Sequence, residues 1–119
     1  MVENDPWPTE LKVDKDRGLL TIGFDDGADF ALPAELLRVM SPSAEVKGHG
    51  PDTRVTVPGK KNVRIARLDP VGNYAVRIVF DDGHDTGLYS WPYLRELGDN
   101  KESLFQGYLA ELAKKGLSR

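Results

Sequence analysis

The chain has 119 residues, a net charge of −3 and no cysteine. That length suits one domain, residues 1–119, with one modest core, and the charge argues against broad nucleic-acid binding. The missing thiols exclude disulfides, thiol catalysis and any cysteine-held zinc or iron–sulfur site within this chain. No apolar run approaches a membrane span, and the acidic Met1-Val-Glu-Asn-Asp-Pro6 stretch has no signal-peptide core. The expectation is a cytoplasmic protein with neither nucleic acid nor membrane as partner.

Thr9 to Asp14 alternates, with Leu11 and Val13 on one face, and predicts a short strand. Asp16-Arg17-Gly18 is a turn, and Leu19 to Phe24 a second strand with Leu20, Ile22 and Phe24 at period two. Asp25-Asp26-Gly27 reads as a three-residue hairpin loop with Gly27 in the left-handed conformation. Phe24 then opposes Ala28, Ile22 opposes Phe30 and Leu20 opposes Leu32, all on one face. Pro33 to Met40 predicts a two-turn helix with proline in its first turn.

From Ser41 to Asn62 regular structure is hard to find, apart from a candidate strand at Thr53–Val57. So long a connection in a compact domain is usually functional or mobile. Val63–Leu68 and Tyr74–Phe80 predict two strands joined around Pro70-Val-Gly-Asn73, with Tyr74, Val76, Ile78 and Phe80 on one face. A strand over His84–Tyr89 and a helix entered through Ser90-Trp91-Pro92 follow, Ser90 being the N-cap. A last amphipathic helix spans 101–115, with Leu104, Phe105, Tyr108, Leu109 and Leu112 at helical spacing. The fold class is α+β: antiparallel hairpins forming a small curved sheet or two sheets, packed with short helices and the C-terminal helix.

Phe24-Asp-Asp-Gly27 recurs as Phe80-Asp-Asp-Gly83, and Leu36-Leu-Arg38 is echoed by Tyr93-Leu-Arg95. This weak repeat of strand, turn, strand and helix reads as one unit used twice to build one core. Only the second turn carries a histidine. If it copies the first turn, His84 opposes Phe80, Thr86 faces Ile78 and Leu88 faces Val76. A two-residue Asp82-Gly83 turn would instead pair His84 with Asp81. Either register puts a carboxylate near the ring.

His49 lies between glycines in the long connection. Folded back, it could join His84 and Asp85 in a zinc or iron site, although no ligand spacing supports one. No Gly-x-Ser-x-Gly or phosphate-binding Gly-x-x-x-x-Gly-Lys motif is present, so no nucleophile–base pair can be named. The paired carboxylates Asp25-Asp26 and Asp81-Asp82 are explained by turn chemistry. Lys47, Arg54, Lys60, Lys61 and Arg64 gather positive charge in and after the connection, as a solvated loop does.

The stretches WPTELKV, LPAELLRVMSPSAEVKGHG and VGNYAVRIVFDDGHDTGLYSWPYL together resemble the DUF971 family, the gamma-butyrobetaine hydroxylase-like N-terminal domain, over residues 6–97. The chain resembles a stand-alone bacterial member. The resemblance implies a small α+β unit that, in carnitine-pathway dioxygenases, precedes a separate iron- and 2-oxoglutarate-dependent catalytic domain too large to fit in this chain. There the small domain holds structural zinc through three cysteines and a histidine. The cysteine positions fall on Ser41, Ser43 and Val46 here, and the histidine matches His84, so one ligand of four survives. Similar domains are also fused to Mrp-type P-loop ATPases that carry iron–sulfur clusters.

The resulting expectation is a non-catalytic accessory domain, without cofactor and monomeric or weakly dimeric, linked to iron–sulfur protein maturation or an oxygenase partner. Its binding surface would join Ser41, Ser43, Glu45 and His49 to Asp81, Asp82, His84 and Asp85, with Trp91 nearby, and His84 would order the hairpin. The alternative is a small metal- or anion-binding protein using His49, His84 and Asp85.

Overall fold

The computed structural model describes residues 7–43 and 55–119. The first stretch holds strands β1 (Pro8–Val13), β2 (Leu19–Phe24) and β3 (Asp29–Pro33), then helix α1 (Ala34–Val39). The second holds β4 (Ile65–Val71), β5 (Ala75–Phe80) and β6 (Leu88–Ser90), then α2 (Trp91–Asp99) and α3 (Lys101–Lys114). The strands form two separate antiparallel three-stranded sheets, ordered β1-β2-β3 and β4-β5-β6. The fold is therefore α+β with two sheets, not closed into a barrel. No helix among the described residues is long and apolar enough to cross a membrane.

The first hairpin has the expected register, Ile22 opposite Phe30 and Leu20 opposite Leu32. Gly27 sits at φ 91, where a side chain would be strained. Leu20, Ile22, Phe24 and Leu32 of this sheet meet Ile65, Val76, Ile78, Phe80 and Tyr89 of the other in one core, closed by Leu37, Leu94 and Leu97 from the helices. Each such side chain contributes about 2 kcal/mol on leaving water. A smaller cluster of Val39, Tyr108 and Leu112 seats α3. Ser90 caps α2, its Oγ accepting the Tyr93 N–H at 3.2 Å, with proline in the first turn.

The second half departs from expectation in three places. β4 runs on through Asp69-Pro70-Val71, so the turn falls at 72–74 and Tyr74 is exposed instead of joining Val76, Ile78 and Phe80 inside. Proline is tolerated there because β4 is an edge strand. Residues 55–57 lie outside any strand, and 53 and 54 lie outside the described residues. Finally, β6 is only three residues long, and its register is shifted by one. Leu88 opposes Arg77 and Tyr89 opposes Val76. The slip turns Tyr89 inward and leaves Leu88 exposed, as a one-residue shift must. It arises between His84 and Gly87, where the chain presses against Ser41.

The repeat is more complete in three dimensions than in sequence. Both halves are a three-stranded meander ending in a helix. The first strand of each carries an irregularity at the same place, between Pro8 and Glu10 and between Ile65 and Arg67. The two Asp-Asp-Gly turns share their backbone bonds and the cap made by their second aspartate. Phe24 N–H reaches Ala28 O at 2.8 Å and Gly27 N–H reaches Phe24 O at 3.1 Å; the second turn repeats them at 3.0 Å and 3.2 Å from Phe80 and Gly83. Asp26 accepts the Ala28 N–H at 3.2 Å as Asp82 accepts the His84 N–H at 3.1 Å. Asp25 clasps the Trp7 backbone as Asp81 clasps that of Arg64.

Each half also reaches the turn of the other. Arg38 of α1 pairs with Asp82 at 2.8 Å, and Arg95 of α2 pairs with Asp26 at 2.9 Å. Phe30 lies against Gly98, where a Cβ would come within 2.6 Å of its ring, and the equivalent joint sets Ser41 against Gly87.

Candidate functional site

The second joint gathers three of the four buried polar residues among those described. After α1 the chain turns so that Ser41 and Ser43 point under the second hairpin, where His84 enters from the Asp-Asp-Gly turn. Ser41 Oγ lies 2.9 Å from His84 Nε2, Ser43 Oγ lies 3.4 Å from the same nitrogen, and the two hydroxyls are 3.3 Å apart. Exposure is 0% for Ser41 and 7% for each of the others. The Phe80 ring packs on the imidazole at 6.1 Å between centroids. Tyr89, behind the cluster, donates its hydroxyl to Leu37 O. Burial pushes that phenol well above its ordinary pKa, against the opposing influence of Ser41 and Arg38.

Asp82 faces outward from this joint. Its Oδ2 takes both Arg38 Nε at 2.8 Å and Lys60 Nζ at 2.6 Å. Arg38 Nη1 is buried with no hydrogen-bond acceptor among the described residues. Burial pushes the Asp82 carboxyl up, but hydrogen bonds from Lys60, the His84 N–H and Arg38 outweigh it and bring the pKa down to about 2. A depressed carboxylate stabilises the fold above its unfolded pKa of about 3.9 and loses that contribution as protonation sets in. The stability gap between the native chain and Asp82→Asn is therefore expected to be full near neutrality. It should close as the pH falls from about 4 to about 2, read from thermal midpoints across an acid series.

The first turn makes the same bonds with Ala28 where the second has His84. The backbone bonds of such a turn thus form with alanine as well, while in the second turn His84 Nε2 lies within hydrogen-bond reach of Ser41 and Ser43. The register that copies the first turn is the one observed, not the pairing of His84 with Asp81.

The other anticipated residues scatter. Asp81 binds the Arg64 backbone. Asp85 is exposed, and its charge acts on Arg67. Trp91 donates its indole N–H to Asn73 O, at the far end of β5 from the histidine turn, about 17 Å away along six strand residues. Glu45, Val46, His49, Lys47 and Arg54 lie outside the described residues. Among the described residues, no three His, Cys, Asp or Glu side chains converge as a metal set.

A serine hydroxyl 2.9 Å from an imidazole has the spacing of a nucleophile and its base. Ser41 is sealed, however, and borders neither of two neighbouring cavities. One, of about 500 Å³, lies between the end of α1, residues 55–57 and α3; the other, of about 440 Å³, lies between Met40, α2 and α3. Nor does the donor set fit structural zinc, because hydroxyls do not replace thiolates as its ligands. The cluster is a hydrogen-bonded clasp between the chain after α1 and the second hairpin. Sequence reasoning missed Arg38, Tyr89 and Gly87, although the Leu-Leu-Arg echo pointed to Arg38.

A small two-sheet domain with a sealed polar joint is thus the class the fold and site define. The chain belongs to the gamma-butyrobetaine hydroxylase-like N-terminal family, whose model matches residues 11–95. It is similar to two proteins solved by NMR in solution. One is 52% identical, with TM-score 0.84, over 100% of this chain and 90% of that one; the other is 47% identical, with TM-score 0.82, over 96% and 90%. A DUF971-family protein of unknown function from Acidithiobacillus ferrooxidans, solved by crystallography, is 34% identical with TM-score 0.66, over 80% of this chain and 98% of that one. No curated protein matches.

Proposed function

We propose that this chain is a non-catalytic accessory domain that docks a protein partner, in iron–sulfur protein maturation or beside an oxygenase. The supporting observation is a buried serine–histidine cluster among the described residues, whose hydroxyls lie within hydrogen-bond reach of one another and of the imidazole beneath the surface. With that chemistry turned inward, what the domain offers a partner is its exterior. The family context, in which such domains accompany cluster-carrying ATPases or precede oxygenase domains, supplies the class of partner.

The test is an NMR titration of isotope-labelled chain with an Mrp-type carrier ATPase or an oxygenase catalytic domain, and separately with Zn(II) and Fe(II). Shifts confined to one contiguous exposed surface on adding either protein, with both imidazole rings indifferent to metal, are the expected result. Stoichiometric metal with both rings responding, lost in His84→Ala, would replace this reading with a metal-binding one.

A further inference from the structure

Two contacts between the halves are answered by their counterparts, as across an isologous dimer. Arg38 reaches Asp82 while Arg95 reaches Asp26, and Phe30 sits on Gly98 while Ser41 sits on Gly87. The other ties likewise cross from residues 7–43 to 55–119. Arg17 O accepts the Ile65 N–H at 2.8 Å, Arg17 donates to Ala66 O at 3.0 Å, and Lys101 donates to Ala31 O at 3.1 Å. Among the described residues no strand ladder joins the two sheets; the halves are held by the Ile65–Arg17 backbone bond, by side chains and by a shared core.

Residues 44–54 connect the halves in sequence, eleven positions. Eleven residues can span about 36 Å at strand rise. Two of the molecule's three dimensions, 42 × 32 × 24 Å, are shorter than that.

We propose that a second copy of this chain is a partner for it, by exchange of halves. Residues 7–43 of one copy pack on residues 55–119 of the other, so that the Ser41–Ser43 hydroxyls of one chain are completed by His84 of its partner. The exchanged dimer makes every interhalf contact of the monomer twice. Its population is therefore set by concentration and by the connection, not by a new surface.

A pair of charge variants tests this in the full chain. Arg38→Glu sets like charges against Asp82 within its own chain, and Asp82→Arg does the same against Arg38. In a mixed dimer with exchanged halves, one globule pairs the two substituted side chains with opposite charges. The other globule pairs native Arg38 with native Asp82. Both variants are unfolded in denaturant, mixed one to one and refolded together at high concentration, so that neither needs to fold alone. Light scattering and native mass spectrometry then read the product. A mixed dimer of about twice 13.2 kDa, forming several-fold more than either variant's homodimer, is expected. A mixture with no mixed dimer, or an equal yield of dimer from either variant alone, would overturn the proposal.

Discussion

Gly87→Ala is expected to lower stability by about 2–3 kcal/mol, an overpacking cost compounded by loosened hydrogen bonds. The added methyl would lie 2.5 Å from Ser41 Oγ, 3.1 Å from Tyr89 Cε1 and 3.4 Å from Pro42 Cδ. None of these neighbours is a loose end. Ser41 is fully buried and tied to His84 and Ser43, and Tyr89 is buried and anchored to Leu37 O. Ser41 must therefore leave the imidazole, or β6 must lift from β5. At this chain length the cost corresponds to a thermal midpoint about 10 °C lower. The His84 ring resonances should move with it, since the imidazole loses its 2.9 Å partner. A midpoint within 2 °C of the native value and an unmoved ring would show that the joint yields without loss, and the clasp would lose its structural meaning.

The same glycine explains where sequence reasoning stopped. The first hairpin was legible because all its information is local: alternation, a turn with the right glycine, and a register that keeps six apolar side chains together. The second hairpin has the same turn, but its register slips beside Gly87, which lies against Ser41, 46 positions earlier in the chain. Nothing within His84–Ser90 announces a slip that buries Tyr89 in place of Leu88. Likewise β4 outruns its expected end because Pro70 lies on an edge strand, a fact of topology that no window of sequence contains.

The candidate site divides the same way. The convergence of Ser41, Ser43 and His84 follows from the family resemblance, which aligned them as former ligands. Composition and spacing alone would not have joined residues 41 and 84. The expectation that His84 orders its hairpin weighed one turn by itself. The internal repeat supplies the control, a turn with the same bonds and no histidine. The cross-paired arginines were half legible: the echo of Leu-Leu-Arg marked them as equivalent, while the exchange of partners between halves needed the fold.

Arg119→Met is expected to cost about 2 kcal/mol, through the carboxylate it abandons. Glu35 lies in α1 with its side chain 6% exposed. Arg119 grips it with two bonds, Nη2 to Oε1 at 2.7 Å and Nε to Oε2 at 3.1 Å, and lays its guanidinium 5.3 Å from the Phe105 centroid. The approach is held by the Leu117 N–H on Leu112 O at 2.8 Å and the Gly59 N–H on Ser118 O at 3.0 Å. The segment thus ties α1, residue 59 and α3 together around Tyr108, whose hydroxyl burial and the Glu35 charge push upward in pKa. Breaking a fully buried pair from one side costs about 3–5 kcal/mol. Arg119 is 41% exposed, so water can reach the vacated carboxylate and the lower figure applies. Replacing both partners, in Glu35→Met with Arg119→Met, removes the stranded charge as well. The double variant should be more stable than Arg119→Met alone, a non-additivity that urea midpoints resolve. If Arg119→Met unfolds within 0.5 kcal/mol of the native chain, the bidentate pair is a solvated surface contact, and α3 is held by Val39, Tyr108 and Leu112 without it.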